Sequence, residues 1–405
     1  MGDFFQTGAI ATFHRLGVPK LEKIEKELKT FSKWRPIALV LPALFDELEG
    51  EALPRVLDEL KKVHYLRQIV VSLDRANAEQ FAFAKQFFQK LNHDCKIIWQ
   101  DGPRLAELYE QLEANGLSAG GTGKGRGAWM AFGYVIACDQ SEVIALHDCD
   151  ITTYSRELLA RLVYPVASPN LPYEFCKGYY DRVTDRMHGR VTRLLVTPLI
   201  RALKTIAGPL PYLSFMNSFR YVLVGEFALL TKLARVIRIP GDWGLEVGLL
   251  SEVFHNVTVR RVCQIDIIEQ YEHKHSQLSA ANPQEGLLKM CLDITKSILR
   301  NLANEGVVLS EGLLRTLQVH YLRMAQDTLK LYEDDAAING LIFDRHAESE
   351  AVEAFARGIR EAAEIFLKDP FGAPQIPNWN LVTSAIPNFL ERLQAAVEED
   401  NRAAE

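Results

Sequence analysis

Residues 143–154 read VIALHDCDITTY, an apolar run broken abruptly by two aspartates, Asp148 and Asp150, with Cys149 between them. A short apolar run without polar alternation predicts a strand covered on both faces, as in a parallel sheet sandwiched by helices. The preceding sequence repeats this grammar. IALVLPALFDELEG (37–50) is an apolar run ending in a proline and an acidic loop, QIVVSLD (68–74) and KIIWQ (96–100) are further buried runs, and helical patterns lie between them. LEKIEKELKTFSKW (21–34) places Leu21, Ile24, Leu28 and Phe31 at helical spacing, and LPRVLDELKKV (53–63) does the same. Alternating strands and helices imply right-handed β-α-β units, a mainly parallel sheet, and a ligand site at the carboxyl ends of its strands. Asp148 and Asp150 fall at such an end.

The 405-residue chain is 48% hydrophobic, ample for one large α/β domain with an appendage. Its formal charge of −6 provides no basic surplus and disfavours nucleic acid as a partner. Six scattered cysteines without a C-x-x-C pair fit neither a disulfide framework nor a zinc knuckle and point to a reducing cytoplasm. The N-terminal MGDFFQTGAIATFHRLG lacks a secretory pattern, so the mature chain is expected to begin there. The most apolar region, about 194–230, is interrupted by Arg201, Lys204, prolines and Arg220, so it predicts core or an interfacial helix and no membrane span. Beyond residue 280 the helical spacing in LLKMCLDITKSILRNLA, EGLLRTLQVHYLRMAQDTLKLY and AVEAFARGIREAAEIFL predicts a helical C-terminal portion. Those faces predict packing on the catalytic domain and a homodimer, with Leu287, Leu288, Cys291, Leu292 and residues 294–299 as contributors. The last residues, EEDNRAAE, read as disordered. The expected division is an N-terminal helical extension (1–34), a catalytic domain (35–280) and a helical C-terminal region (281–405).

Several segments can carry chemistry. Two carboxylates at i and i+2 beyond a strand can hold a divalent cation that bridges a diphosphate, or can cap the helix that DITTYSRELL begins. SAGGTGKGRGAW (118–129) offers flexible backbone beside Lys124 and Arg126, but it fails the P-loop pattern because Gly125 stands where Ser or Thr would bind magnesium. QYEHKHSQL places His273 and His275 two apart, so both rings can point to one side and complete a metal shell. MHGRVTRLL joins Gly189 to Arg190 and Thr192, suited to a phosphate or carboxylate, or to an ordinary helix start. GDWGLEVGLL encloses Glu246, either a pocket carboxylate or an acid complementing a helix dipole.

In order, LPAL (41–44), Gly-Lys-Gly (123–125), D-x-D (148–150), G-R-V-T (189–192), G-E-F (225–227), G-x-E-x-G-L-L (244–250) and the late His-x-His resemble the glucosyl-3-phosphoglycerate synthases. These are retaining glycosyltransferases with the A-type, Rossmann-like nucleotide-sugar fold. The resemblance spans roughly residues 35–280. It implies transfer of glucose from UDP-glucose to the 2-hydroxyl of 3-phosphoglycerate, on the route to glucosylglycerate, a compatible solute. The cofactor it implies is Mg2+, Mn2+ or Co2+. Asp150 and His273 would bind the metal, with Asp148 and Cys149 on the nucleotide side. Pro42, Ala43, Leu44, Asp46, Ser72, Asp74, Lys124 and Leu223 would line the nucleotide-sugar pocket. Gly189, Arg190, Thr192 and His275 would hold phosphoglycerate, and Glu246 would join Asp150 as a catalytic group beside donor sugar and acceptor hydroxyl.

The chain departs from the family pattern in three places. Its first loop reads PALFDE where the family has PALNEE, VVSLDRAN moves the second acid to Asp74, and His275 stands where Asn is common, across a one-residue gap. Competing readings are a mannosyl-3-phosphoglycerate synthase using GDP-mannose, a membrane-associated polyprenyl-phosphate glycosyltransferase, and a non-catalytic nucleotide-sugar-binding protein.

Overall fold

The computed structural model describes residues 6, 8–17, 20–269, 286–372 and 375–402. The strands are β1 (Ala11–Phe13), β2 (Ile37–Leu44), β3 (Leu66–Asp74), β4 (Cys95–Trp99), β5 (Val143–Leu146), β6 (Phe175–Tyr179), β7 (Phe227–Leu230) and β8 (Val262–Asp266). They form an eight-stranded sheet in the order β1-β8-β6-β7-β5-β2-β3-β4. Only β7 runs against its neighbours β5 and β6, and the other pairings are parallel. The four strands expected from the apolar runs before residue 150 are β2 to β5. β1 has three residues, β6 carries Lys177 and Gly178 within it, and β7 lies inside the long apolar stretch 194–230, so none stands out as a separate apolar run.

Successive side chains of a strand face opposite sides, and β2 divides accordingly. Ala38 and Val40 enter one core, while Ile37, Leu39 and Leu41 enter the other. Helices Leu21–Phe31, Ala52–Leu60, Ala78–Phe88 and Arg156–Ala167 cover the second face. Helix Lys124–Cys138 and the C-terminal helices Gly286–Asn304, Glu311–Ile338 and Arg345–Lys368 pack into the first. Residues 194–230 are core, as expected: a wide helical turn Val191–Val196 runs into helix Thr197–Ala207, followed by Pro211–Met216 and β7.

The helix Lys124–Cys138 carries glycines because three neighbours press against it. A Cβ on Gly125 would overlap the Pro240 carbonyl, one on Gly127 would sit 2.7 Å from Ser72 Oγ, and one on Gly133 would overlap the Trp379 ring. Trp379 in turn stacks on Trp129 with centroids 4.1 Å apart. These contacts hold the helix against the sheet and set the position of its first residue, Lys124.

Two expectations are corrected. Residues 398–402 of the acidic tail belong to helix Phe389–Arg402, because their polar groups find specific partners on the sheet's β4 edge. Asn401 accepts from the Ile97 amide at 2.9 Å and donates to its carbonyl at 2.8 Å, satisfying backbone that an edge strand leaves open. Cys291, Leu292, Ile294, Ile298 and Leu299, expected to contribute to a dimer face, are buried within the same chain.

Candidate active site

Asp148 and Asp150 follow β5 directly. The next helix begins at Arg156 behind Ser155, so neither aspartate caps it. Because β7 is antiparallel and pairs Phe227 with Leu146, the residues that precede β7 arrive beside the end of β5. Gly225 is thereby delivered to Asp148, and Glu226 accepts from Tyr180 Oη at 3.2 Å. Lys124, at the first turn of its helix, places Nζ 2.6 Å from Asp148 Oδ1 and 3.3 Å from Oε1 of Glu246, which sits in the first turn of helix Leu245–Asn256. Burial disfavours the charged amine, but Asp148 and Glu246 more than offset it and raise the Lys124 pKa.

For the carboxylates on the other side of this group the nearby cations only partly offset burial. Burial, then the Asp148 charge, pushes Asp150 up to about 6. Burial also pushes Glu47 up to about 7, against the hydrogen bond that its Oε2 accepts from the Leu44 amide at 3.0 Å, and with the charges of Asp150 and Asp148 adding to the rise. Beneath them Lys177 is fully buried and donates to the Val224 carbonyl at 2.7 Å. Burial brings its pKa down to about 8 despite Glu246 and Glu226.

From this acidic end a cavity of about 630 Å³ runs to a basic one. Its far wall is a small hairpin in which Val183 bridges Met187, followed by Gly189, Arg190 and Thr192. Gly189 has φ 75°, a conformation that glycine adopts without strain, and it turns the chain into the helix that carries Arg190 and Thr192. Arg182 donates from Nη1 to Tyr221 Oη at 2.9 Å. Arg190 Nε and Arg193 Nη2 both reach Glu348, at 2.7 and 3.1 Å. Glu348 lies on helix Arg345–Lys368, so the C-terminal region borders the cavity.

The structure thus brings Lys124, Asp148, Asp150, Gly189, Arg190, Thr192, Leu223 and Glu246 to one cavity. Pro42, Ala43 and Leu44 end β2, and Ser72 and Asp74 end β3, on the same edge of the sheet but outside that cavity lining. Ser72 accepts from Gln100 Nε2 at 2.9 Å. Asp74 is buried, and its pKa is raised by burial and by Asp101. Cys149 is core, its thiol pushed well up by burial. Asp46 is exposed, whereas its neighbour Glu47 turns toward the aspartates. His273 and His275 lie outside the described residues. Unforeseen were Glu47, Lys177, Arg182, Tyr221, Glu226 and Glu348. Glu47 was visible as the second acid of PALFDE, but nothing local distinguishes Glu348 from any other helix glutamate.

Among the described residues no three His, Cys, Asp or Glu side chains come together as a metal cage. The donor set beyond β5 nevertheless fits a hard divalent cation. Asp148 and Asp150 can offer oxygen ligands from one loop, and burial first, then the charges of the neighbouring aspartates, raises the pKa values of Asp150 and Glu47, a cost that a bound cation would relieve. A magnesium-type ion commonly takes one or two carboxylates and completes its shell with substrate phosphates.

No protein-family model matches the chain. It is 48% identical over 401 residues to the glucosyl-3-phosphoglycerate synthase of Persephonella marina, covering 99% of both chains. It is 38% identical over 403 residues to the enzyme of that name from Methanococcoides burtonii, covering 98% of both. Its fold is similar to that of Mycobacterium tuberculosis glucosyl-3-phosphoglycerate synthase in complex with Mn2+, UDP and glucosyl-3-phosphoglycerate, with a TM-score of 0.53, 19% identity, and 73% of this chain and 88% of that one covered. The same enzyme with Mn2+, UDP-glucose and phosphoglyceric acid gives a TM-score of 0.54 at 18% identity, with 73% and 89% covered. Near-complete coverage by two relatives, on a sheet that carries the expected motifs to one edge, shows that the chain belongs to the glucosyl-3-phosphoglycerate synthase family.

Proposed function

We propose that this protein transfers glucose from UDP-glucose to the 2-hydroxyl of 3-phosphoglycerate with retention, giving glucosyl-3-phosphoglycerate. The observation that carries the reading is the polarity of the cavity. An acidic end at β5, suited to a cation-bound diphosphate, opens onto an arginine-lined end suited to a small phosphorylated acid. The edge formed by Pro42 to Leu44, Ser72 and Asp74 supports the nucleotide, as expected where strands present their carboxyl ends.

Asp150 and Asp148, with His273 or His275, are the residues that would hold the cation. When bound, such a cation neutralises charge that builds on the departing diphosphate. Lys124 sits between Asp148 and Glu246 and fixes both carboxylates, so that Glu246 faces the place where sugar and acceptor hydroxyl meet. Arg190 and Thr192, on the helix after Gly189, bind the acceptor's phosphate, and Leu223, which lines the same cavity, contacts the nucleotide sugar. Retention follows front-side attack, in keeping with a Glu246 carboxylate tied to Lys124.

The test is a matrix of UDP-glucose and GDP-mannose against 3-phosphoglycerate and glycerate, with products identified by mass. Glucosyl-3-phosphoglycerate should form, and unphosphorylated glycerate should be a poor acceptor. Product from GDP-mannose alone would overturn the donor assignment. Among the described residues no helix is long and apolar enough to cross a membrane.

A cytoplasmic location and a homodimer belong to the same proposal. The cysteines are all free, and Val319, Leu331 and Ile338 on helix Glu311–Ile338 are exposed. Light scattering at low micromolar protein tests the dimer. A mass of 45.8 kDa independent of concentration would rule it out.

A further inference from the structure

We propose that Glu348, on the C-terminal helix Arg345–Lys368, is a positioning residue that sets acceptor affinity by holding the guanidinium groups of Arg190 and Arg193. This rests on the reading of the arginine-lined end as the acceptor site.

Glu348 is only 6% exposed in its side chain, where a lone carboxylate would be costly. It is stabilised by two arginines from one short segment: Arg190 donates from Nε at 2.7 Å and Arg193 from Nη2 at 3.1 Å. Two guanidinium groups share one carboxylate, so the trio keeps a net positive charge. Engagement through Nε leaves the Nη groups of Arg190, a residue that lines the cavity, without another protein hydrogen bond among the described residues. Arg193 is held more tightly. It donates to the carbonyls of His188 at 2.8 Å and Met187 at 3.3 Å and lies over the Tyr332 ring at 4.9 Å. Its Nη1 is buried without a protein partner. A buried donor of that kind is costly, so Arg193 serves to hold Glu348 in place, and Arg190, the more exposed of the two on the cavity wall, is the arginine that meets a ligand.

The connection before this helix reinforces the arrangement. The Ile342 amide donates to the Asp185 carbonyl at 2.8 Å, joining the residues ahead of Glu348 to the 183–187 hairpin. Ile342, Phe343 and Asp344 also line the cavity. The C-terminal helices therefore hold the acceptor wall from outside, and a free, mobile Arg190 would lose part of its binding energy to side-chain ordering.

The experiment compares wild type with Glu348→Ala and Glu348→Gln. Glu348→Ala should raise the KM for 3-phosphoglycerate about tenfold or more, the effect of losing a charge-assisted contact, while the KM for UDP-glucose stays within about twofold. Glu348→Gln, which keeps an acceptor oxygen for one arginine, should recover part of the loss. An acceptor KM that is unchanged, or that falls because Glu348 competes with the ligand, would overturn the proposal. Should Glu348→Ala melt below assay temperature, Glu348→Gln is read by the same criteria. Calorimetric titration with inorganic phosphate separates this inference from the functional reading. Weaker phosphate binding in Glu348→Gln supports the positioning role whatever the acceptor proves to be, and equal binding refutes it. A wild type that is inactive toward 3-phosphoglycerate refutes the functional reading alone.

Discussion

Lys124 and Asp148 meet at 2.6 Å in a space that exists only because residue 225 has no side chain. A Cβ on Gly225 would overlap Asp148 Oδ2 and lie 2.8 Å from Lys124 Nζ. The antiparallel entry of β7 beside β5 thus delivers a glycine to the one place where a larger residue would separate the pair.

Gly225→Ala should therefore damage activity more than folding. Overpacking typically costs about 1–3 kcal/mol, which urea unfolding would measure, while turnover should drop at least about tenfold as Lys124 and Asp148 are pushed apart. Unchanged turnover would mean that the pair is dispensable.

Asp150→Ala should abolish cation-dependent turnover and leave the melting temperature nearly intact, because a loop carboxylate beyond β5 adds little to the core. Titration of Mn2+ in the presence of UDP should show lost affinity. Near wild-type rate in saturating magnesium would remove Asp150 from the metal site.

Lys177 provides a test by pH. Burial lowers its folded pKa to about 8, against Glu246 and Glu226, from an ordinary lysine value of 10.5. Between those two values the unfolded chain binds more protons than the folded one, so this lysine's contribution to stability rises with pH. Below about 8 both states are charged and the burial penalty is fully felt. Wild type should gain roughly 3 kcal/mol relative to Lys177→Met between pH 7 and 10.5, from a shift of about 2.5 units. A difference that does not change with pH would show that Lys177 titrates normally.

Trp379→Ala should cost about 3–5 kcal/mol, as for other large aromatic core truncations. The ring is fully buried, stacks on Trp129 and fills the groove over Gly133. Because it backs the helix that begins at Lys124, turnover should fall even under conditions where the variant is folded. A urea midpoint equal to wild type would show that the helix seats itself without this contact.

The amino-acid sequence by itself determined the sheet strands β2 to β5, the helices that alternate with them, and the strand-end position of Asp148 and Asp150. Those features depend on local periodicity and on the short distance between an apolar run and the polar residues that end it. The motifs around Lys124, Arg190 and Glu246 were equally legible, since each is a compact cluster of chemically distinctive residues. Only the tertiary structure decided that Glu47 rather than Asp46 turns toward the aspartates, because a single step along a helix changes the face presented. Tertiary structure alone also decided that the tail's Asn401 completes the β4 edge and that Glu348 holds Arg190 from 158 residues away. Such pairings have no period and no local spacing. They exist because folding encloses polar groups whose desolvation must be met by whatever partner the chain path brings within hydrogen-bonding distance.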